Sequence, residues 1–201
     1  MSLDQNLNKI LIIDFGSQFT QLIARRIREL GVFSEIISHK KIKLKDIDQT
    51  VKGIILSGGP LNVYQINKYS FDKKIINLNI PILGICFGHQ ILGRALGFET
   101  YKLQFGHRGI NQPVMDKNTG KVEITAHNHG FAVKAPTDSE FSTVYGRGEV
   151  THTCLNDGVV EGLALLDRPA FSVQYHPEAA PGPNDATYFF AEFAELIELS
   201  R

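Results

Sequence analysis

The sequence predicts an α/β fold: a single domain with a central, mostly parallel (mixed) sheet flanked by helices. Three observations carry that prediction. Short apolar runs rich in isoleucine alternate with amphipathic segments through the first hundred residues, the pattern of strands buried on both faces between covering helices. Gly31 and Gly97 close two of the helical patterns as C-caps. Beyond Gly97 the segments become short and punctuated by turn residues, as in hairpins and edge strands. A length of 201 residues suits one domain with a substantial core.

Taken in order, Lys9–Asp14 (KILIID) reads as the first strand. Residues 18–30 follow as a helix, with Phe19, Leu22, Ile23, Ile27 and Leu30 on one face and arginines on the other. Phe33–Ser38 is the second strand and residues 52–57 the third, closed by the turn Gly58-Gly59-Pro60. Residues 71–78 read as helical, 80–85 as a strand, and 87–96 as a helix. Segments 99–105, 108–115, 121–126, 130–135, 141–147, 159–165 and 170–175 read as short strands, with Asn156-Asp157-Gly158 as a hairpin turn. Residues 186–199 form a last helix with Phe189, Phe190, Phe193 and Ile197 on its apolar face. No linker, repeat or low-complexity tract interrupts the chain, so residues 9–201 are expected to be one domain after a polar leader, residues 1–8.

Composition excludes several classes of function. The formal net charge is zero, which leaves no electrostatic footprint for nucleic acid or an anionic membrane. No run approaches the roughly 20 apolar residues of a membrane span, and the polar start is no signal peptide. Of the two cysteines, one is expected to be reactive and one structural, as in a cytoplasmic enzyme.

The reactive one is Cys86. It follows an apolar strand, precedes a helix and is flanked by Gly84 and Gly88, the logic of a nucleophile elbow. A Cβ at either glycine would collide with backbone in so sharp a turn, and the turn leaves the thiol at a helix N-terminus. Taken alone, the segment reads equally as a small buried hydrophobe. The second signal is His176-Pro177-Glu178 at a strand end, where α/β folds place their sites. Glu178 can accept an imidazole proton and stabilise imidazolium, while Pro177 restricts the backbone between them. By itself the tripeptide is an ordinary surface turn. His89 is expected to face away from Cys86. His107, His127, His129 and His152 lack a His-x₃-His or Cys-x₂-Cys spacing, so no metal site is expected, and no cofactor. Cys154 has no glycine frame and reads as structural.

GICFGHQ and SVQYHPEA together, with the earlier GGP, resemble the class I (triad) glutamine amidotransferases, from about residue 9 to 195. The resemblance implies a flavodoxin-like three-layer fold. It also implies Cys86 as nucleophile, His176 as base and acid, and Glu178 as the residue orienting His176. L-glutamine would be hydrolysed to glutamate and ammonia through a γ-glutamyl thioester. The oxyanion would be met by the backbone N–H groups of Gly59 and Phe87, each donor worth roughly 3–4 kcal/mol. The resemblance also points to Gln90, Asn128, Gly130 and Phe131 for substrate binding. The opening IIDFGSQFTQLIARRIRELGV and LSGGP look like the glutaminase domain of GMP synthetase. GICFGHQIL, FGHRGINQPV, AHNHGFAV and THTCLNDGVVEG look like the small subunit of carbamoyl-phosphate synthetase, although Leu61 stands where that family usually has glycine. Without a phosphate-binding loop or a dinucleotide fingerprint, the chain is expected to hand ammonia to a separate synthase subunit or domain. A non-catalytic glutamine-binding regulator and a cysteine peptidase or γ-glutamyl hydrolase are the competing readings.

Overall fold

The structure is a computed structural model that describes residues 8–59, 72–178, 183 and 185–199. Pro60 and Leu61 of the glycine-rich turn, and Phe71, lie outside the described residues. The alternating first half folds as β1 (Lys9–Asp14), α1 (Thr20–Glu29), β2 (Phe33–Ser38), β3 (Val51–Leu56), β4 (Ile82–Ile85) and α2 (Phe87–Ala95). The second half folds as β5 (Glu99–Asp116), β6 (Val122–Lys134), β7 (Phe141–Thr143), β8 (Gly146–Cys154), β9 (Val160–Leu165), β10 (Ala170–Val173) and α3 (Tyr188–Leu199).

One sheet contains all ten of these strands, in the order β2-β1-β3-β4-β10-β9-β6-β5-β8-β7. Pairings from β2 through β10 are parallel, and those from β10 onward are antiparallel. The sheet is thus mixed, with an antiparallel section as large as the parallel one. Side chains alternate across a strand, and the core divides accordingly. Leu11, Ile13, Ile54 and Leu56 face α2 through Phe87, Ile91 and Leu92. Ile10, Ile12 and Ile55 face α1 and α3 through Ile23, Ile27, Phe193 and Ile197. Helices therefore cover both faces of the parallel section, giving three layers. Ile23 and Ile27 are fully buried, and each contributes about 1.5–3 kcal/mol relative to exposure.

Three local expectations are corrected. Residues expected to be helical at 71–78 form only a 3-10 turn, Lys73–Leu78, which starts where Asp72 accepts from the Lys74 N–H and ends at Asn79 in the left-handed region. Segments 99–105 and 108–115 fuse into β5, because Gly106 and Gly109 (φ 66° and 129°) form bulges rather than ending the strand. Segments 121–126 and 130–135 fuse likewise into its partner β6. Segment 141–147 splits at a hairpin ending on Gly146 (φ 121°), and β8 continues from it to Cys154. β9 also pairs with β8. The pairings β9–β6, β6–β5, β5–β8 and β8–β9 therefore close a circuit of four strands.

Candidate active site

The parallel strands bring several loops to one edge of the sheet. Order reverses between β1 and β3, and open α/β sheets bind their ligands outside the carboxyl ends of strands at such a point. Phe15–Phe19 leaves β1 there, Ser57–Gly59 leaves β3, Cys86 ends β4, and His176 follows β10 after two residues.

Cys86 has φ 53° and ψ −103°, a strained backbone for a residue with a side chain. Its N–H donates to the Val173 carbonyl at 2.9 Å, tying the turn to β10. The flanking glycines have no space for a side chain. A Cβ on Gly88 would lie 2.1 Å from the Leu56 carbonyl oxygen, and one on Gly84 would lie 2.8 Å from that of Gly88. Both obstacles are backbone and cannot rotate away. Gly88→Ala is therefore expected to cost at least about 3 kcal/mol, at or above the upper end of ordinary overpacking and beyond the roughly 1 kcal/mol that alanine gains in a helix. Urea unfolding measures it, and a loss under 1 kcal/mol would contradict this geometry.

His176 is seated by its own N–H, which donates to the Ala126 carbonyl of β6 at 2.9 Å. Its Nδ1–H donates to Glu178 Oε1 at 2.8 Å, and Glu178 is almost wholly buried. The Phe19 ring packs edgewise on the imidazole with centroids 5.1 Å apart. Burial would push the His176 imidazolium down. Cys86 and Glu178, as anions hydrogen-bonded to it, outweigh that and hold it well above the ordinary histidine value.

A cleft of about 260 Å³ joins these groups. It is lined by Cys86, His176, Gly59 and Asn128, all expected, and by Gly16, Ser17, Gln18 and Phe19, which sequence reasoning missed. Asp14 Oδ1 holds that unforeseen loop, accepting from the N–H groups of Gly16 and Ser17 and from Thr20 Oγ1. The available signal was a glycine directly after a buried strand, in DFGSQF. Gly59 sits between Phe15 and Phe87, and a Cβ there would lie 3.0 Å from the Phe15 carbonyl oxygen. Phe87 opens α2 with its ring in the core, leaving only its backbone near Cys86.

Gln90, Gly130 and Phe131 do not line this cleft. Gln90 is buried, and its Nε2 donates to the Phe131 carbonyl at 3.1 Å and to Gln174 Oε1 at 3.0 Å. It therefore holds β6 against the helix that starts at Cys86. His89 is fully buried with Nδ1 2.9 Å from Ser172 Oγ, and burial pushes it down to about 3. Burial pushes the Cys154 thiol up to about 11, which suits a structural residue. A larger cavity, about 700 Å³ beside α3, β9 and β10, contains none of the cleft residues. Among the described residues no helix is long and apolar enough to cross a membrane.

Comparison with known proteins agrees with this geometry. The carbamoyl phosphate synthase small chain of Streptomyces coelicolor is 61% identical over 150 residues, covering 74% of this chain and 40% of that one. The same-named chain of Corynebacterium glutamicum is 48% identical over 189 residues, covering 93% and 48%. The chain thus spans less than half the length of these relatives. Two solved structures share the fold. A GMP synthase subunit from Thermoplasma acidophilum superposes with a TM-score of 0.72 at 24% identity, covering 98% of this chain and 96% of that one. A glutamine amidotransferase from Thermotoga maritima gives 0.64 at 19%, covering 98% and 91%. The family model for glutamine amidotransferase class-I matches residues 11–196, nearly the whole chain, and the chain belongs to that family.

Proposed function

We propose that residues 9–201 form a glutaminase domain that hydrolyses L-glutamine and passes the ammonia to a separate synthase making carbamoyl phosphate. The observation that carries this reading is Cys86 on its strained turn, sharing one cleft with His176 backed by Glu178. With His176 protonated, the Cys86 thiolate attacks the side-chain amide carbon. The oxyanion is met by the N–H groups of Gly59 and Phe87. His176 then protonates the departing nitrogen, releasing ammonia and leaving a γ-glutamyl thioester. Next, His176 takes a proton from water, the hydroxide attacks the thioester, and glutamate leaves as Cys86 recovers its negative charge. Asn128 lines the cleft for the polar end of the substrate. Gln90 acts through the Phe131 carbonyl, holding the segment that contains Gly130. The small-chain relatives support the choice of synthase.

The test is glutamate release by the purified chain, with and without the large chain of a carbamoyl phosphate synthase, together with labelling of Cys86 by an electrophilic glutamine analogue. Turnover that rises with the partner is expected. No turnover in either condition would overturn the reading. Glu178→Gln is expected to lower kcat by about 10²-fold or more with little change in KM, because the amide stabilises imidazolium poorly. An unchanged pH–rate profile in that variant would contradict its orienting role.

A further inference from the structure

Behind the segment that lines the cleft, the four-strand circuit gathers four buried polar side chains that glutamine hydrolysis does not use. They are His107 on β5, His127 and His129 on β6, and Glu161 on β9. One ligand atom from each lies within 4.8 Å of all the others. Along β6 the side chains alternate, so His127 and His129 turn to this cluster while Asn128 between them turns to the cleft.

The outer nitrogen of each imidazole is already committed. His129 Nδ1–H donates to the Phe131 carbonyl at 2.9 Å. His107 Nε2–H donates to Asp157 Oδ2 at 2.8 Å. Thr125 Oγ1 gives its own proton to the Gln112 carbonyl at 2.9 Å, so at 2.7 Å it accepts from His127 Nε2–H. In neutral rings these bonds leave His107 Nδ1, His127 Nδ1 and His129 Nε2 as lone pairs, all turned inward. His127 Nδ1 and His129 Nε2 then face each other at 3.1 Å with no proton of their own to share. Glu161 is fully buried, and its Oε2 has no hydrogen-bond partner. Oxygens of Glu161 lie 2.9 Å from His107 Nδ1, 3.7 Å from His127 Nδ1 and 3.7 Å from His129 Nε2.

We propose that His107, His127, His129 and Glu161 form a four-coordinate site for a divalent transition cation of the zinc class. Metal–nitrogen bonds of about 2.0–2.1 Å in a tetrahedron separate neighbouring ligands by about 3.3–3.4 Å, and the observed separations bracket that value. The donor set of three imidazoles and one carboxylate suits zinc better than calcium or magnesium, which take oxygen. Each imidazole also has the outer acceptor that orients metal-bound histidines, and a carboxylate supplies one of them. Asp157 has a half-exposed side chain and offers a way in from the surface. A second grouping, His107 with Cys154 and Asp157, would need the thiolate of a buried cysteine held protonated, and it competes for the same histidine. The role of the cation is structural. It ties β5, β6 and β9 together where β9 and β6 share one residue pair, Val133 with Val160.

The test uses the purified full chain, stripped by a chelator and titrated with Zn(II) and Co(II). One equivalent of zinc, a raised melting temperature and the intense visible bands of four-coordinate Co(II) are expected. His127→Gln and Glu161→Gln are each expected to weaken zinc binding about 100-fold or more, and Asp157→Asn about tenfold. Well under one equivalent, a weak six-coordinate cobalt spectrum, or unchanged affinity in the variants would overturn the site. If the buried-residue variants fail to fold, the wild-type cobalt spectrum and Asp157→Asn carry the decision.

Discussion

Cys86→Ala is expected to slow glutamine hydrolysis by about 10⁴-fold or more, the scale of losing a covalent nucleophile while the rest of a site stays in place. The substitution removes one sulfur from the cleft and leaves the donors at Gly59 and Phe87, the seat of His176 and the helix behind them. Glutamine binding should therefore change little, and equilibrium dialysis with the variant measures that directly. Backbone strain supplies a second readout. At φ 53° and ψ −103° any side chain is strained, at about 1–3 kcal/mol. Cys86→Gly is expected to be equally inactive yet more stable than Cys86→Ala by about 1 kcal/mol, once the entropy cost of glycine is subtracted. Equal stability of the two variants would mean the elbow is unstrained; residual turnover within tenfold of wild type would mean Cys86 is not the nucleophile.

Acid is the second large effect. Burial pushes His89 down to about 3 and, outweighing the nearby carboxylates, His152 down to about 4. Both are buried as neutral bases, whereas the unfolded chain takes up their protons below about 6.5. The unfolded state therefore binds more protons between that pH and the folded values, and stability falls as pH falls through the window. Each histidine loses about 2 kcal/mol by pH 5, roughly 4 kcal/mol together, a large share of a typical 5–15 kcal/mol. Urea unfolding at pH 7.5 and pH 5 measures the difference. His89→Gln, which cannot be protonated but can still meet Ser172 Oγ, is expected to recover about half of it. An identical pH dependence in that variant would rule out His89 as a source.

How much was legible in the sequence depends on how local the cause was. The strand, elbow and helix around Cys86 follow from a four-residue apolar run and two glycines, and the structure adds the reason: Gly84, Gly88 and the Leu56 carbonyl leave no room for a Cβ. Helix α1 and the C-caps at Gly31 and Gly97 were equally readable. By contrast, glycine was read as a strand end at 106 and 109, where the long hairpin uses it to bulge and continue, because only pairing with β6 rewards continuation. The loop Gly16–Phe19 went unassigned because its place in the cleft depends on strand order.

The sequence by itself determined the α/β class, the strained thiol and the histidine–glutamate pair that faces it. Each rests on periodicity or on side chains within a few residues of one another. Only the tertiary structure decided that Gln90 braces β6 rather than lining the cleft. It alone brought His107, His127, His129 and Glu161 together behind Asn128. Even the readable half of that cluster, His127 and His129 on one face of a strand, has chemical meaning only when β5 and β9 supply its other ligands. The register that brings them there comes from backbone pairing across up to 54 residues and two glycine bulges, an energy no local pattern encodes.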